Sequence, residues 1–224
     1  MTSKPIFFVN FKNYPEILGE GSVSLARAVD KAAEDSGVLG VVAPPAPLIG
    51  LVSSRVSIAV YSQRVDSAVG DKTTGAVLPE AVKGAGGSGT LLNHSEARIP
   101  VPEIESLMTR LESLNMKVCL CAASAREAVS LSKVRPAWLA VEPPELIGTG
   151  VAVSRAKPEV VSGTVSALRE SGYDGRILCG AGIVTGSDAR AAMELGADGI
   201  LVSSSVVKSK EWSAKVSELT RSLV

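Results

Sequence analysis

Ile6-Phe7-Phe8-Val9-Asn10-Phe11-Lys12 is the stretch on which the fold turns. Its first four residues are continuously apolar. A strand covered on both faces has that pattern, whereas a half-exposed strand alternates apolar with polar residues. The residues just after the run decide between two architectures. An open doubly wound sheet usually carries a glycine-rich turn after its first strand. Here the run passes into Asn10-Phe11-Lys12 without a glycine, which favours a closed barrel of parallel strands.

Working outward, runs of the same kind recur: Leu39 to Ala43, Ile58 to Tyr61, Thr90 to Leu92, Val118 to Cys121, Trp138 to Val141, Ile177 to Cys179 and Gly199 to Val202. Helical spacing of apolar residues lies between most of them. It predicts helices over Ser22 to Ser36, Val101 to Leu114, Ser124 to Ser132, Lys157 to Ser171, Thr185 to Leu195 and Glu211 to Val224, with a short one around Pro79 to Lys83. Gly37, Gly172 and Gly196 are fitting stops, and Pro102 and Pro158 fit first turns. Eight strands alternating with helical connectors predict an α/β fold, a (βα)₈ barrel, in a single domain spanning residues 1–224.

Bulk composition narrows the partners. Lys plus Arg and Asp plus Glu number 23 each among 224 residues, and 46% of the chain is apolar. A balanced chain gives no long-range field for nucleic acid or an anionic membrane, so any anion site must be local. No run approaches the ~18 apolar residues of a membrane helix, and no long apolar core comes after Met1 to Pro5, so neither a span nor a secretory signal is expected. Cys119, Cys121 and Cys179 have neither zinc nor disulfide spacing and lie in apolar runs. A reducing cytoplasm is the expected compartment, and no metal or cofactor is called for.

In a barrel, chemistry sits at the C-terminal ends of the strands. Those positions carry Asn10 and Lys12, Asn93-His94-Ser95-Glu96, Glu142, Gly180-Ala181-Gly182, and Ser203-Ser204-Ser205. Taken singly, each has a bland explanation: a structural histidine, a surface lysine, a loop charge, a turn, a cap. Together they put a cation, an imidazole and a carboxylate at one mouth, beside two turns of small residues whose backbone N–H groups can approach an anion. Ser95 and Glu96 read as opening a helix, whose dipole would disfavour a protonated His94. After Glu142 come Pro143 and Pro144, an apolar tip, and Gly148-Thr149-Gly150. A stiff entry and a loose exit describe a lid that closes over the carboxylate.

With these motifs in place, the whole chain resembles the triosephosphate isomerases, most of all their short archaeal-type members. The resemblance rests on Asn10-Phe11-Lys12, Leu92-Asn93-His94-Ser95-Glu96, Glu142-Pro143-Pro144-Glu145-Leu146-Ile147-Gly148-Thr149-Gly150 and Cys179-Gly180-Ala181-Gly182. It implies a TIM barrel that interconverts dihydroxyacetone phosphate and D-glyceraldehyde 3-phosphate without a cofactor. In it Glu142 is the base, His94 the electrophile and Lys12 the cation near phosphate and enediolate. Asn10 and Phe11 belong to the same pocket, backbone N–H groups at Ile147, Gly148, Gly182, Ser203 and Ser204 hold the phosphate, and Glu96 orients the site from behind. It also implies a homo-oligomer, a dimer or a tetramer, through a loop at Asp71-Lys72-Thr73-Thr74-Gly75 that reaches a neighbouring subunit. The chain departs from the commoner pattern at Val141, where tyrosine is usual, at Glu145, where an aromatic is usual, and at Ser203-Ser204, where glycines are usual. The competing expectation is another phosphate-binding barrel enzyme, such as an aldolase or a lyase. A Schiff-base aldolase needs an inner lysine, and only Lys12 stands at a strand end, Lys117 preceding its strand.

Overall fold

Each apolar run becomes a strand. They are β1 (Ile6–Asn10), β2 (Leu39–Ala43), β3 (Ala59–Ser62), β4 (Gly89–Leu92), β5 (Lys117–Ala122), β6 (Trp138–Val141), β7 (Arg176–Cys179) and β8 (Gly199–Val202). The computed structural model describes residues 3–142 and 158–224. Every strand pairs in parallel with its neighbour in sequence, and β8 returns to β1, Ile6 lying opposite Gly199 and Val9 opposite Val202. The sheet is a closed barrel, as Asn10-Phe11-Lys12 suggested.

The connectors include α1 (Glu20–Ser36), α2 (Ile49–Ser53), α3 (Pro79–Gly84), α4 (Val101–Ser113), α5 (Ala125–Leu131), α6 (Pro158–Glu170), α7 (Gly186–Glu194), α8 (Ser204–Val207) and α9 (Trp212–Arg221). Except for α2 and α8, which have no counterpart among the predicted helices, their ends fall within three residues of those expected from periodicity. Gly37, in the left-handed region at φ +73°, ends α1, and a Thr185–Asp188 capping box opens α7. The last helix, α9, packs on α1, joining the two ends of the outer ring. Among the described residues, no helix is long and apolar enough to cross a membrane.

One expectation about the helices fails. Ser95 and Glu96 do not open a helix: they form a turn closed by the Ala97 N–H on the His94 carbonyl at 2.8 Å, and α4 begins only at Val101. Pro100 explains the delay, because a proline pushes the residue before it away from helical backbone.

Strand alternation divides the core into two layers. Phe7, Val9, Val42, Leu120, Leu139 and Ile200 face the helices. Ile6, Phe8, Cys119, Cys121, Trp138, Ala140, Leu178 and Leu201 fill the barrel. At the lower end three rings make a floor: Tyr61 stacks on Trp138 at 5.3 Å with 4° between planes, and Phe8 meets both edge-on. Gly89 makes room for this, since a Cβ there would lie 2.5 Å from the Tyr61 ring. The same period of two carries past the strand ends. Asn10 continues the inward series of Ile6 and Phe8, Glu142 that of Trp138 and Ala140, and Ser203 that of Leu201. The polar mouth is therefore a continuation of the apolar interior.

Candidate active site

Glu142 and His94 face each other across the mouth. His94 Nε2 lies 3.6 Å from Glu142 Oε2, just beyond hydrogen-bond reach, and both residues are buried, at 6% and 4% exposure. The Glu96 N–H donates to His94 Nδ1 at 3.2 Å. Nδ1 is then the acceptor, so the neutral ring carries its proton on Nε2 and presents a donor to the cavity. Burial lowers the His94 pKa, and the Lys12 charge lowers it further. The neutral imidazole thus arises from burial and a nearby cation, not from the helix terminus that the sequence suggested.

Burial acts on Glu142 in the opposite sense. It pushes the carboxyl up to about 7, with the Cys121 thiol and the Lys12 charge pulling it back. A carboxylate poorly solvated and near neutrality is matched to removing a carbon-bound proton at neutral pH. Oε2 has no hydrogen-bond partner. Its placement depends on β7: a Cβ at Gly180 would meet Glu142 Cγ at 2.5 Å. Gly180 is therefore small because the Glu142 side chain lies against it.

Lys12 is held in a conformation that few residues adopt. Its φ is +48°, in the left-handed region that is uncommon for side chains with a Cβ. Three contacts fix it there. Its N–H donates to Asn10 Oδ1 at 3.0 Å, Gln63 Nε2 donates to its carbonyl at 2.7 Å, and its Nζ lies 2.6 Å from Glu96 Oε1. Gln63 Nε2 also reaches the Ala43 carbonyl at 3.1 Å, tying the loop after β1 to β2. Asn93, also left-handed at φ +59°, sends Nδ2 to the Cys121 carbonyl at 3.0 Å and so aims the turn that carries His94.

A cavity of about 80 Å³ opens between these groups. Asn10, Lys12, His94, Glu142, Gly182, Ser203 and Ser204 are among its walls. Gly182 has φ +72°, a conformation that suits glycine. One side of the cavity offers a base and an N–H donor, the other a cation and turns of small residues. That division fits a short phosphorylated carbonyl compound. Among the described residues, no three His, Cys, Asp or Glu lie together as ligands for a metal ion.

The model of the family described as triosephosphate isomerase matches residues 5–219. The chain belongs to the triosephosphate isomerase family. A triosephosphate isomerase from Cenarchaeum symbiosum is 43% identical over 224 residues, all of both chains. One from Caldivirga maquilingensis is 40% identical over 220 residues, 98% of each chain. One from Methanocaldococcus jannaschii is 39% identical over 216 residues, 96% of this chain and 99% of that one. The family is itself the reference example of a neutral imidazole set against a glutamate.

Of the residues that the triosephosphate isomerase motifs nominate, the structure brings Asn10, Lys12, His94, Glu142, Gly182, Ser203 and Ser204 to one cavity, with Glu96 behind Lys12 and His94. Phe11 is not brought there. It is fully buried in the outer layer of the core, because the alternation that turns Asn10 inward turns its neighbour outward. Ile147 and Gly148, with the lid expected over 143–150, lie outside the described residues. Sequence reasoning missed Gln63, Cys121 and the dependence of Glu142 on Gly180. Gln63 had a signal, a polar residue directly after the strand ending at Ser62. Cys121 had a weaker one, the end of an inward-facing series.

Proposed function

We propose that the chain interconverts dihydroxyacetone phosphate and D-glyceraldehyde 3-phosphate through an enediolate. The observation that carries this is the His94–Glu142 pair: a donor N–H and an unpartnered carboxylate oxygen 3.6 Å apart at the wall of one cavity. Glu142 takes the proton from the carbon next to the carbonyl. The His94 Nε2–H meets the carbonyl oxygen as charge develops on it. Lys12 adds positive charge beside both enediolate and phosphate. A proton passes from the substrate's hydroxyl oxygen to the former carbonyl oxygen, and Glu142 returns the carbon proton to the neighbouring carbon, completing the isomerisation with no net change of redox state.

Backbone N–H groups at Gly182, Ser203 and Ser204 hold the phosphate, joined by those at Ile147 and Gly148 when the 143–150 stretch closes. The lid rests on the resemblance and on its Pro-Pro and Gly-Thr-Gly flanks. It would keep water from an intermediate that can otherwise eliminate phosphate. The same resemblance suggests a homo-oligomer in the cytoplasm, with Asp71 to Gly75 reaching a neighbouring subunit. In support, that segment is pinned at its base by the Asp66 N–H on the Val77 carbonyl at 2.8 Å and the Val77 N–H on Asp66 Oδ2 at 2.7 Å. Val69 beside it is 75% exposed.

An aldolase working through a Schiff base fits less well. That chemistry needs a desolvated, neutral amine, whereas Lys12 Nζ is ion-paired with Glu96. The direct test is a coupled assay for interconversion of the two triose phosphates with no added metal or cofactor. Turnover supports the assignment. Absence of turnover, or a substrate adduct trapped by borohydride, overturns it.

A further inference from the structure

Two residues lining the mouth cavity each carry a buried side-chain oxygen without a hydrogen-bond partner: Glu142 Oε2 and Ser203 Oγ. The first is the proposed base and waits for a carbon-bound proton. The second has no assigned task, and a buried hydroxyl left unpaired carries a desolvation cost that some partner ordinarily offsets.

Ser203 stands directly after the last residue of β8. Leu201 faces the barrel interior and Val202 the helices, so alternation turns Ser203 inward again. Val9 lies opposite Val202, and Cys179 opposite Ile200. Continued by one step on one side and three on the other, that register sets Ser203 between Asn10 and Gly182. A serine just before a helix usually turns its oxygen onto an N–H of the first turn. Ser203 precedes α8 and makes no such bond. Its hydroxyl is left without a partner.

We infer that the Ser203 hydroxyl is a direct side-chain donor to the substrate's phosphate, a ligand beyond the backbone N–H groups around it. Charge and position select the phosphate over the reacting carbons. A phosphate dianion accepts hydrogen bonds and donates none, and a hydroxyl rotor free of other partners can turn its proton toward it. β8 stands two strands from β6, roughly 9–10 Å at the usual spacing, so Ser203 is at the end of the cavity remote from Glu142. A ligand whose carbonyl end lies between Glu142 and His94 extends its ester toward Ser203. This inference rests on the triose phosphate assignment, and its consequence is specificity: the hydroxyl contributes to binding the phosphoryl group in substrate and transition state alike.

The test compares Ser203→Ala, Ser203→Gly and Ser203→Thr with the parent enzyme, reading the KM for D-glyceraldehyde 3-phosphate, kcat, and the inhibition constant of inorganic phosphate. Loss of a hydrogen bond to a charged group corresponds to about tenfold or more. In Ser203→Ala and Ser203→Gly, KM and the phosphate inhibition constant rise together by about that factor, with the loss in KM rather than kcat. Ser203→Thr, which keeps the hydroxyl, stays within about threefold of the parent, well inside the tenfold expected for a lost hydrogen bond. An unchanged phosphate inhibition constant in both hydroxyl-free variants overturns the inference, whatever kcat does. A parent enzyme that binds inorganic phosphate but isomerises no triose phosphate would sink the functional assignment instead, and the phosphate measurements would still judge Ser203.

Discussion

At the scale of single residues, the proposed catalysis depends on what burial does to two titratable groups. It keeps His94 neutral and raises the Glu142 carboxyl from 4.5 to about 7. The base works only when ionised, so kcat/KM should rise with pH through an acid limb near 7. A flat profile from pH 5 to 8 would show that another group takes the proton. The same shift has a stability consequence of definite sign. Because the folded carboxyl binds its proton more tightly than the unfolded one, its contribution is fully present below about 4.5 and is lost as pH rises through about 7. Glu142→Gln removes that loss. The variant should match the parent in stability near pH 4.5 and exceed it above pH 7, by on the order of 3 kcal/mol, as measured by urea unfolding at both pH values. A variant less stable than the parent at pH 8 would show that the carboxylate is not strained by its burial. His94→Ala should lower kcat by roughly 10²–10⁴. An effect of only a few-fold would return the chain's one histidine to a structural role.

At the scale of elements, strand ends and the turns beyond them set the geometry. Gly180 matters through the side chain it leaves room for. Gly180→Ala should displace Glu142 and cut kcat by about 10²-fold, the order expected for an ångström of misplacement, while inorganic phosphate still binds. Parent-like kcat would mean that Glu142 does not need its observed position. Gln63→Leu should free the loop after β1 and weaken the hold on Lys12, raising KM for the phosphate ester. Such contacts explain how much of the site was legible in sequence. The proposed catalytic side chains at strand ends stand out because they interrupt apolar runs with charge or imidazole. Gln63 and Cys121 do not, since their importance comes from partners distant in sequence: Lys12 for one, Glu142 for the other. The turn at Ser95-Glu96 was misread for a local reason. Its residues suit a helix start, but Pro100 delays the helix until Val101. Phe11 was carried into the site by a contiguous motif, although alternation sends it to the opposite face of the strand.

At the scale of the whole molecule, the barrel has a dry end and a polar end. The sequence showed eight strands because continuous apolar runs are a strong signal for a doubly covered parallel sheet. Their closure into a ring was argued from the count of eight and from the glycine-rich turn missing after β1. The aromatic floor was not legible at all, because Phe8, Tyr61 and Trp138 come from strands far apart in the chain. The two ends should respond differently to mutation. Gly89→Ala, whose Cβ would lie 2.4 Å from the Lys117 carbonyl oxygen and 2.5 Å from the Tyr61 ring, should cost about 1–3 kcal/mol of stability through overpacking. The folded fraction should keep its kcat. A large loss of kcat at parent stability would couple floor to mouth in a way these contacts do not provide. The most direct test of the role of Glu142 monitors exchange of carbon-bound hydrogen in dihydroxyacetone phosphate dissolved in deuterium oxide, by proton NMR, with the parent enzyme and with Glu142→Gln. The parent should exchange hydrogen for deuterium during turnover, and Glu142→Gln should exchange at least about 10³-fold more slowly, a loss at the scale of a removed catalytic group, while still binding inorganic phosphate. Exchange by Glu142→Gln at the parent's rate would contradict Glu142 as the base.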